Sequence, residues 1–280
     1  MNKADLEKTL KEYLETSAGN YIEKDSALRP DLAGMRIFDE PLVGYASVTD
    51  PYFSELKKPG VIGTHFMAPE EWLPGAKTVI AFFFPFTEQV CTANSSDMVW
   101  PTDEWLHARY EGQNFLDVSC RFMEDLLKKE GYWALAPLLD SRFSRTSPLT
   151  KDETKEDYYT SNWSERHVAY IAGLGTFGLS RSLITRKGPA GRCFSIITDA
   201  FFEPDGRPYA GIYDYCTNCG SCISKCPAKA ISKEQGKLHY PCGIYVDLIG
   251  EKYSPRRGCG KCQVKVPCGD GTLAFLKSSL

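Results

Sequence analysis

The spacing of apolar side chains predicts helices at three places in the 280-residue chain. Leu6, Leu10 and Leu14 recur every four residues near the N-terminus and would share one helix face. Apolar residues between Phe115 and Leu126 also follow helical spacing, in a long segment that Gly131 would end. A short helix is expected over residues 167–172.

Short apolar runs rich in β-branched and aromatic residues predict strands. The longest is 77–84, which follows a turn at Leu73-Pro74-Gly75-Ala76. The other strand candidates are residues 43–46, 132–139, 183–186 and 193–199. Between them, residues 140–162 are polar and without periodicity, which predicts a functional or mobile loop.

Composition sets limits on the class of protein. The chain is 42% hydrophobic and 25% charged, as globular proteins are. A net charge of -3 and a pI near 5.9 give no general basic field for nucleic acid. The longest apolar run is far too short to cross a bilayer, and no signal peptide is visible. We therefore expect a cytoplasmic protein without a membrane partner.

Cysteines supply the strongest chemical signal, since eight of the eleven fall in the last quarter of the chain. The run Cys216-x2-Cys219-x2-Cys222-x3-Cys226-Pro227 is typical of bacterial ferredoxins. Four more follow, namely Cys242, Cys259, Cys262 and Cys268. Eight thiolates in this order can hold two [4Fe–4S] clusters with four ligands each.

The fourth cysteine of such a run ligates the other cluster in two-cluster ferredoxins. Cluster one is then predicted to use Cys216, Cys219, Cys222 and Cys268, and cluster two Cys226, Cys242, Cys259 and Cys262. The second group departs from standard spacing, and two structural zinc sites are the alternative, because paired Cys-x2-Cys groups also bind zinc. Pro227 after the first run favours iron–sulfur. Cys91, Cys120 and Cys193 have apolar or helical surroundings and are expected in the core.

A glycine motif precedes the cysteines. Gly173, Gly175 and Gly178 match the G-x-G-x-x-G pattern of dinucleotide sites, but a helix-like segment comes before them where that site needs a strand. A tight turn in which only glycine fits is the alternative.

Two segments around these motifs resemble the epoxyqueuosine reductase family. Residues 165–184 are similar to that family's ERxxAxxAGLGWxGKNxxLI segment, and residues 73–80 to its VPGAKSVI segment. Both stand in the family's order before a two-cluster module, and the resemblance spans roughly residues 40–270.

The resemblance implies an α+β fold, with an α/β nitroreductase-like core domain over residues 1–205 and a ferredoxin-like two-[4Fe–4S] module over residues 206–280. It also implies cobalamin, as in the related reductive dehalogenases. Gly173, Gly175, Gly178 and Ser180 would lie against the corrinoid. Ser180 stands where the family's GKN has its asparagine, and Leu179 replaces the lysine.

The family's proton donor is an aspartate in a VDTAP segment that this sequence lacks. Counting back without gaps puts Tyr159 at its position, and reductive dehalogenases use a tyrosine as the acid. Asp140, after the predicted strand 132–139, is the other candidate. Without the resemblance, Asp140 would cap a turn and Tyr159 would be a loop aromatic.

We therefore expect an oxidoreductase that passes electrons from an external donor, such as ferredoxin or flavodoxin, through two clusters to a corrinoid-type cofactor and a small substrate. The alternative is an electron-transfer or corrinoid-reducing partner protein without its own substrate. A third hypothesis is a reductase acting on tRNA epoxyqueuosine. The family's tRNA-gripping helical repeat is not visible and the pI is acidic, so no tRNA partner is expected.

Overall fold

The computed structural model describes residues 1–146 and 160–269. Its helices are α1 (Lys3–Thr16), α2 (Pro51–Glu55), α3 (Pro69–Trp72), α4 (Glu88–Ser95), α5 (Asp103–Lys129), α6 (Glu165–Ile171), α7 (Ser221–Ser224) and α8 (His239–Tyr253). Its strands are β1 (Leu42–Ser47), β2 (Thr78–Pro85), β3 (Ala134–Leu135), β4 (Arg145–Thr146), β5 (Thr160–Ser161), β6 (Gly175–Phe177), β7 (Leu183–Thr185), β8 (Gly191–Thr198), β9 (Ile231–Ser232) and β10 (Gly236–Lys237).

A four-stranded antiparallel sheet with strand order β1-β2-β8-β3 organises the larger part of the chain. Every residue of the inner strand β2 is buried. Ile80, Phe82 and Phe84 pack into the core that includes α1 and α5, whereas Val79 and Ala81 pack into a second core with α6. Burial on both faces explains why this strand is a continuous apolar run in the sequence.

Helices α1 and α5 confirm the two longer helices predicted from apolar spacing. Leu6, Leu10 and Leu14 are fully buried on one face of α1. Asn2 caps α1 in a reciprocal pair with Asp5, which satisfies backbone N–H groups that the helix leaves free. Helix α5 begins at Asp103, well before its apolar repeat, because Trp105 and Ala108 pack its first turns into the core.

The predicted strand 132–139 is mostly wrong. Only Ala134 and Leu135 form strand β3 against β8, and Pro137–Leu139 continue as a 3-10 turn. Pro137 has no N–H to donate to a ladder, so pairing stops just before it. Of the predicted loop 140–162, residues 147–159 lie outside the described residues.

The cysteine-rich segment packs directly on the larger part of the chain. Val264 belongs to the same core as Trp105, and Gly260 lies so close that a Cβ there would meet the Trp105 ring at 1.8 Å. Arg256 forms an ion pair with Glu111 of α5. The boundary between residues 205 and 206 remains a prediction. Among the described residues, no helix is long and apolar enough to cross a membrane.

Candidate active site

The first cysteine run lies on loops around helix α7 and comes together with Cys268. Burial raises the pKa of the Cys268 thiol to about 12, and the nearby Cys216 and Cys222 raise it further. Burial likewise raises the pKa of Cys222 to about 11, with Cys262, Cys216 and Cys219 adding to the effect. Cys219 is exposed and its neighbours are partly buried. Four thiols, separated by up to 52 residues, thus form one electrostatic group.

The remaining four thiols form a second group. Burial raises the pKa of Cys262, and Cys242 and Cys226 add to the increase. Burial also raises the pKa of Cys259 to about 12, with Cys262 and Cys242 among its neighbours. Within residues 1–146 and 160–269, no three such side chains lie close enough to share one metal ion. The four ligands of a cubane cluster lie farther apart, because each binds a different iron.

Asn94 and Lys261 hold the second group against helix α4. Asn94 is fully buried, and its Nδ2 donates to the Cys259 carbonyl at 3.0 Å. The Lys261 ammonium, only 2% exposed, donates to the carbonyl and side-chain oxygens of Asn94 at 2.8 and 3.0 Å. A buried ammonium needs such acceptors, so this contact fixes how the loop with Cys259 and Cys262 sits on the core.

Arginines between the cysteines have structural partners. Arg256 pairs with Glu111 and also donates to the Ser26 carbonyl. Arg257 pairs with Asp247 at 2.7 Å on helix α8. Both arginines therefore form ion pairs with carboxylates of the chain itself.

The glycine motif has packing explanations within the chain. Gly173 has a φ of +83° at the end of α6, where L side chains are strained. A Cβ at Gly175 would lie 2.1 Å from the Ile184 carbonyl oxygen across the β6–β7 hairpin. A Cβ at Gly178 would lie 3.0 Å from the Ile184 side chain and 3.8 Å from the Cys216 sulfur.

The turn between β6 and β7 contains Ser180, which is 6% exposed. Its hydroxyl accepts a hydrogen bond from the Ser182 N–H at 3.4 Å. Ser182 in turn receives a hydrogen bond from Gln263, close to Cys262. Packing and hydrogen bonding within the chain therefore explain Ser180 and each of the three glycines. Their contacts with a corrinoid remain predictions.

Four arginines, which we call the recess arginines, come together beyond the glycine motif: Arg109 on α5, Arg145 on β4, Arg166 on α6 and Arg192 on β8. Burial lowers the pKa of Arg109 to about 10, and repulsion from Arg257, Arg166 and Arg145 lowers it further. Burial also lowers the pKa of Arg192, with Arg109 and Arg145 as the next causes. The guanidiniums therefore lie within electrostatic reach of one another.

We call the region around these four arginines the recess. Arg166 and Arg145 are exposed, and Arg109 and Arg192 are partly exposed. Desolvation nevertheless lowers the pKa of Arg166, and Cys193, Cys262 and Cys242 partly offset that effect. Arg166 is therefore accessible to solvent, although the protein around it weakens the solvation of its charge. Arg166 thus lies near Cys242 and Cys262 of the second cysteine group.

Glu165 and His167 flank Arg166 on α6. Both carboxyl oxygens of Glu165 are buried without a hydrogen-bond partner among the described residues, and burial raises its pKa to about 8. Burial and then the charge of Arg166 lower the pKa of His167 to about 4, and its Nδ1 lies 2.7 Å from the Ser164 hydroxyl. Both side chains are therefore uncharged near neutral pH.

The two predicted proton donors have different outcomes. Asp140 accepts hydrogen bonds from the backbone N–H and the Nε of Arg142, both at 2.8 Å. This pairing lowers the pKa of Asp140, so its carboxyl is already ionised near neutral pH and has no proton to donate. Tyr159 lies outside the described residues.

Sequence reasoning missed Arg109, Arg192 and the position of Cys193. Burial raises the pKa of the Cys193 thiol to about 12, and Glu165 is its next strongest neighbour. Cys193 is therefore only partly a core residue, unlike the fully buried Cys120. No motif contains Arg109 or Arg192, because they come from elements far apart in sequence. Glu165 and Arg166 belong to the segment that resembles the family. Nothing in that segment indicates the raised pKa of Glu165 or the lowered pKa of Arg166.

The fold and the cysteine-rich segment together define a class of iron–sulfur protein. Residues 211–232 match the 4Fe-4S binding domain family. The structure has the fold of epoxyqueuosine reductases: a selenomethionine-labelled crystal structure of one matches with a TM-score of 0.52 and 19% identity, over 96% of this chain and 67% of that one. The fold expected from the resemblance is thereby confirmed as a mixed α/β fold with a C-terminal 4Fe-4S domain.

Reductive dehalogenases share the fold and part of the sequence. A catabolic reductive dehalogenase matches with a TM-score of 0.53 and 15% identity, over 85% of this chain and 32% of that one. Tetrachloroethene reductive dehalogenases of Desulfitobacterium hafniense and Dehalobacter restrictus are 41% identical over 69 residues. That alignment covers 24% of this chain and 12% of the dehalogenases, so the chain matches only a small part of their length.

Proposed function

We propose that this protein is an iron–sulfur reductase with two [4Fe–4S] clusters, and that the electrons leave cluster two for a molecule held in the arginine-lined recess. The 4Fe-4S domain match and the two groups of four cysteines support the clusters. The observation that carries the proposal is the position of Arg166, which lies near Cys242 and Cys262 and also near Cys193 in the recess. Cluster two and the recess are therefore neighbours.

The proposed route begins at the exposed Cys219 of cluster one, where an external donor of ferredoxin or flavodoxin type reaches the protein. The two clusters adjoin through Cys222 and Cys262, since Cys262 is, after burial, the leading cause of the raised pKa of Cys222. A short gap between clusters favours rapid electron transfer. Exchange of Cys226 and Cys268 between the groups ties the two clusters into one rigid unit.

A corrinoid is the cofactor that we propose for the recess, in a domain of nitroreductase-like type. One similar structure was solved for a reductive dehalogenase and suggested a mechanism for B12-dependent dehalogenation; it matches with a TM-score of 0.50 and 18% identity, over 85% of this chain and 32% of that one. The donor chemistry here fits such a group, because carboxamides and a phosphate accept hydrogen bonds and guanidiniums supply them. Arg109, Arg166 and Arg192 would hold it. When bound, a corrinoid supplies a low-potential metal centre for reduction.

The chain's own residues would control protons and water around that reduction. Glu165 keeps its proton up to about pH 8, so it can act as a proton donor next to the recess. His167 stays neutral under the influence of Arg166 and donates no proton of its own in this range. Trp163 and Ser195 lie next to Glu165, and Trp163 Nε1 donates a hydrogen bond to Ser195 Oγ at 2.9 Å. The substrate in this proposal is a small molecule.

The test is anaerobic reconstitution with iron and sulfide, followed by reduction and titration with cob(II)alamin. We expect about eight iron atoms per chain, a visible spectrum of bound base-off cobalamin, and oxidation of the clusters when substrate is added. Replacing Cys262 by Ala should abolish electron delivery to the recess while cluster one remains. Cys91→Ala is the matched control, because Cys91 packs against the core near Phe86 and has no other cysteine among the charges that act on it.

Different failures have different meanings. If fewer than two clusters assemble, the proposed route of electron transfer is wrong. Two reducible clusters with no cobalamin binding at tens of micromolar would remove the corrinoid and keep the iron–sulfur chemistry. Cobalamin that is bound and reduced, yet exchanges freely with a second corrinoid protein and turns over no substrate, would assign the protein to the electron-transfer class.

A further inference from the structure

We propose that the surface around the exposed ligand Cys219 is the docking site of the external electron donor, and that this donor is a protein with an acidic face. We call it the donor surface and define it by Ile212, Tyr213, Lys229 and Lys233 around Cys219. Because electrons enter at cluster one in the proposed function, on which this inference rests, the donor must approach this part of the molecule. The side chains around Cys219 then decide which donor binds.

The two lysines of the donor surface lie beside the first cysteine run. Cys219 is exposed, whereas the other seven predicted ligands are partly buried. The next residue is Gly220, where a Cβ would lie 3.8 Å from Cε of Lys233. Lys229 follows Cys226, and its N–H donates to the Cys226 carbonyl at 3.0 Å. Both lysine side chains are exposed, so two positive charges face solvent next to the ligands of cluster one.

Two large apolar side chains are also exposed just before the cysteine run. Ile212 is 47% exposed and Tyr213 is 56% exposed. Their backbone is fixed, because the Ile212 carbonyl accepts a hydrogen bond from the Phe177 N–H at 2.7 Å and the Tyr213 carbonyl accepts one from the Cys216 N–H at 2.8 Å. Exposed apolar and aromatic side chains on a fixed backbone favour contact with a protein, since tyrosine is enriched at the centre of interfaces.

The charge of the cysteine-rich segment differs in sign from that of the whole chain. Residues 211–269 contain nine lysines and arginines against four aspartates and glutamates, although the net charge of the chain is -3. Three of the nine pair with carboxylates. Lys229 and Lys233 form no ion pair with a carboxylate that the structure describes. Unpaired, exposed lysines beside an exposed ligand attract an acidic partner and speed its encounter with the protein.

The backbone at Lys229 gives no reason for a lysine. Lys229 has a φ of +48°, in the left-handed region that glycine adopts freely and other residues adopt at a cost. Glycine would suit this turn better, so the fold does not explain the side chain. A cationic contact with a docked donor does explain it.

A second exposed apolar surface lies beside cluster two. Ile244 and Leu248 are one turn apart on helix α8, which also carries Cys242, and they are 40% and 45% exposed. Cys242 itself is partly buried, and the Lys252 ammonium is engaged with the Trp100 ring at 3.9 Å from its centre. This surface therefore offers neither an exposed ligand nor the free charge of the donor surface, and it serves as a control.

The experiment measures reduction of the reconstituted protein by reduced flavodoxin, an acidic protein, in anaerobic stopped flow at low and high sodium chloride. Each encounter moves one electron from the reduced flavin to oxidised cluster one, and no bond is made or broken at the surface. We expect Lys229→Glu combined with Lys233→Glu to lower the second-order rate constant about tenfold or more at low salt, and the difference to vanish at high salt.

Three controls accompany this variant. Lys8→Glu combined with Lys129→Glu changes the net charge equally on exposed positions of α1 and α5, and should keep the wild-type rate constant. Every variant should bind about eight iron atoms and be reduced normally by dithionite, which needs no docking surface. Lys229→Gly removes one charge and suits the φ of +48°, so it should slow flavodoxin while its thermal midpoint stays level or rises.

A matched pair of variants tests the apolar part of the surface. Tyr213→Ser should lower the rate constant for flavodoxin, whereas Leu248→Ser, at a similarly exposed position beside cluster two, should not. The reverse result would place the donor at cluster two and overturn the proposal.

The proposal is also wrong if the rate constant with flavodoxin is independent of salt, or if the variant at Lys229 and Lys233 behaves like the control at Lys8 and Lys129. If that variant keeps its rate with flavodoxin but loses affinity for a tRNA stem loop, the lysines contact nucleic acid instead. These outcomes, with normal reduction by dithionite, contradict the donor surface alone. Failure of the wild-type clusters to assemble or to accept electrons from dithionite would overturn the proposed function, and the donor surface with it.

Discussion

Glu165 and Asp140 are two carboxyl groups that the structure places in opposite environments. Asp140 is held ionised by Arg142, which accounts for its lowered pKa. Glu165 is buried, and burial raises its pKa to about 8. Asp140 was a candidate proton donor because it follows a predicted strand. Whether a carboxyl group holds a proton near neutral pH depends on its pKa, which is set by neighbours from other parts of the chain.

Replacing Glu165 by Gln should change how stability depends on pH. The folded protein keeps the Glu165 proton up to about pH 8, whereas the unfolded chain releases it near 4.5, so wild-type stability falls as pH rises through this window. Gln has no proton to lose. The variant should match the wild-type protein at pH 5 and exceed it by on the order of 4 kcal/mol above pH 8.5, about 10 °C in melting temperature.

The measurement is the thermal midpoint of both proteins across pH 5–9, with Glu12→Gln as the control. Glu12 is exposed on α1 and pairs only loosely with Lys8, at 3.9 Å. A difference between Glu165→Gln and the wild-type protein that stays constant with pH would show that the carboxyl ionises normally in the folded state.

At the scale of elements, close approaches between backbone segments explain why the glycine motif needs glycine. The β6–β7 hairpin brings Gly175 against the Ile184 carbonyl, and β1 brings Gly44 within reach of the Ala172 carbonyl, where a Cβ would lie 2.3 Å away. Helix α6 thus ends between Gly44 and Gly175, two positions where no side chain larger than a hydrogen atom fits. Sequence indicated that these glycines permit a close approach; the structure shows the chain itself as a partner.

Gly175→Ala should destabilise the protein even when no cofactor is bound. A methyl group 2.1 Å from a carbonyl oxygen forces the hairpin apart, at a cost of about 3 kcal/mol. Thermal unfolding of the cofactor-free protein measures this cost. Gly206→Ala is the matched control, because a Cβ at Gly206 meets nothing within 4 Å. An unchanged midpoint for Gly175→Ala would leave close approach of a cofactor as the reason for the glycine.

Helix α4 is joined to the cysteine-rich segment by Asn94. Asn94→Ala removes the donor to the Cys259 carbonyl and one of the two acceptors of the buried Lys261 ammonium, whose bond to the backbone carbonyl of residue 94 remains. We expect a loss of about 2–4 kcal/mol in stability and a lower iron content after reconstitution, because the loop that carries two ligands of cluster two is no longer fixed. Asn114→Ala, at an exposed position on α5, should alter neither. Full iron content in Asn94→Ala would limit this contact to stability.

For the whole molecule, the exchange of Cys226 and Cys268 between the two groups makes a clear prediction. Cys268→Ala and Cys216→Ala should each remove cluster one, whereas Cys226→Ala and Cys259→Ala should each remove cluster two. Each variant should retain about four iron atoms, and the paramagnetic spectrum of the reduced protein should lose the coupling between clusters.

Double variants are the control for this assignment. Cys226→Ala combined with Cys259→Ala should retain the same iron as either single variant, because both remove ligands of one cluster. Cys226→Ala combined with Cys222→Ala should lose nearly all iron. The reverse result, with nearly all iron lost in Cys226→Ala/Cys259→Ala and about four atoms kept in Cys226→Ala/Cys222→Ala, would contradict the exchange and favour two clusters formed from consecutive cysteines.

Sequence alone determined the iron–sulfur chemistry and most elements of the fold. A cluster is bound by thiolates from a short loop, so spacing within Cys216–Cys226 is sufficient to recognise it, and local periodicity is sufficient for α1, α5 and β2. Only the tertiary structure decided where Arg109, Arg145, Arg166 and Arg192 meet and why Glu165 stays protonated. The physical reason is that pKa and charge balance depend on burial and on neighbours from distant segments, which no local pattern contains.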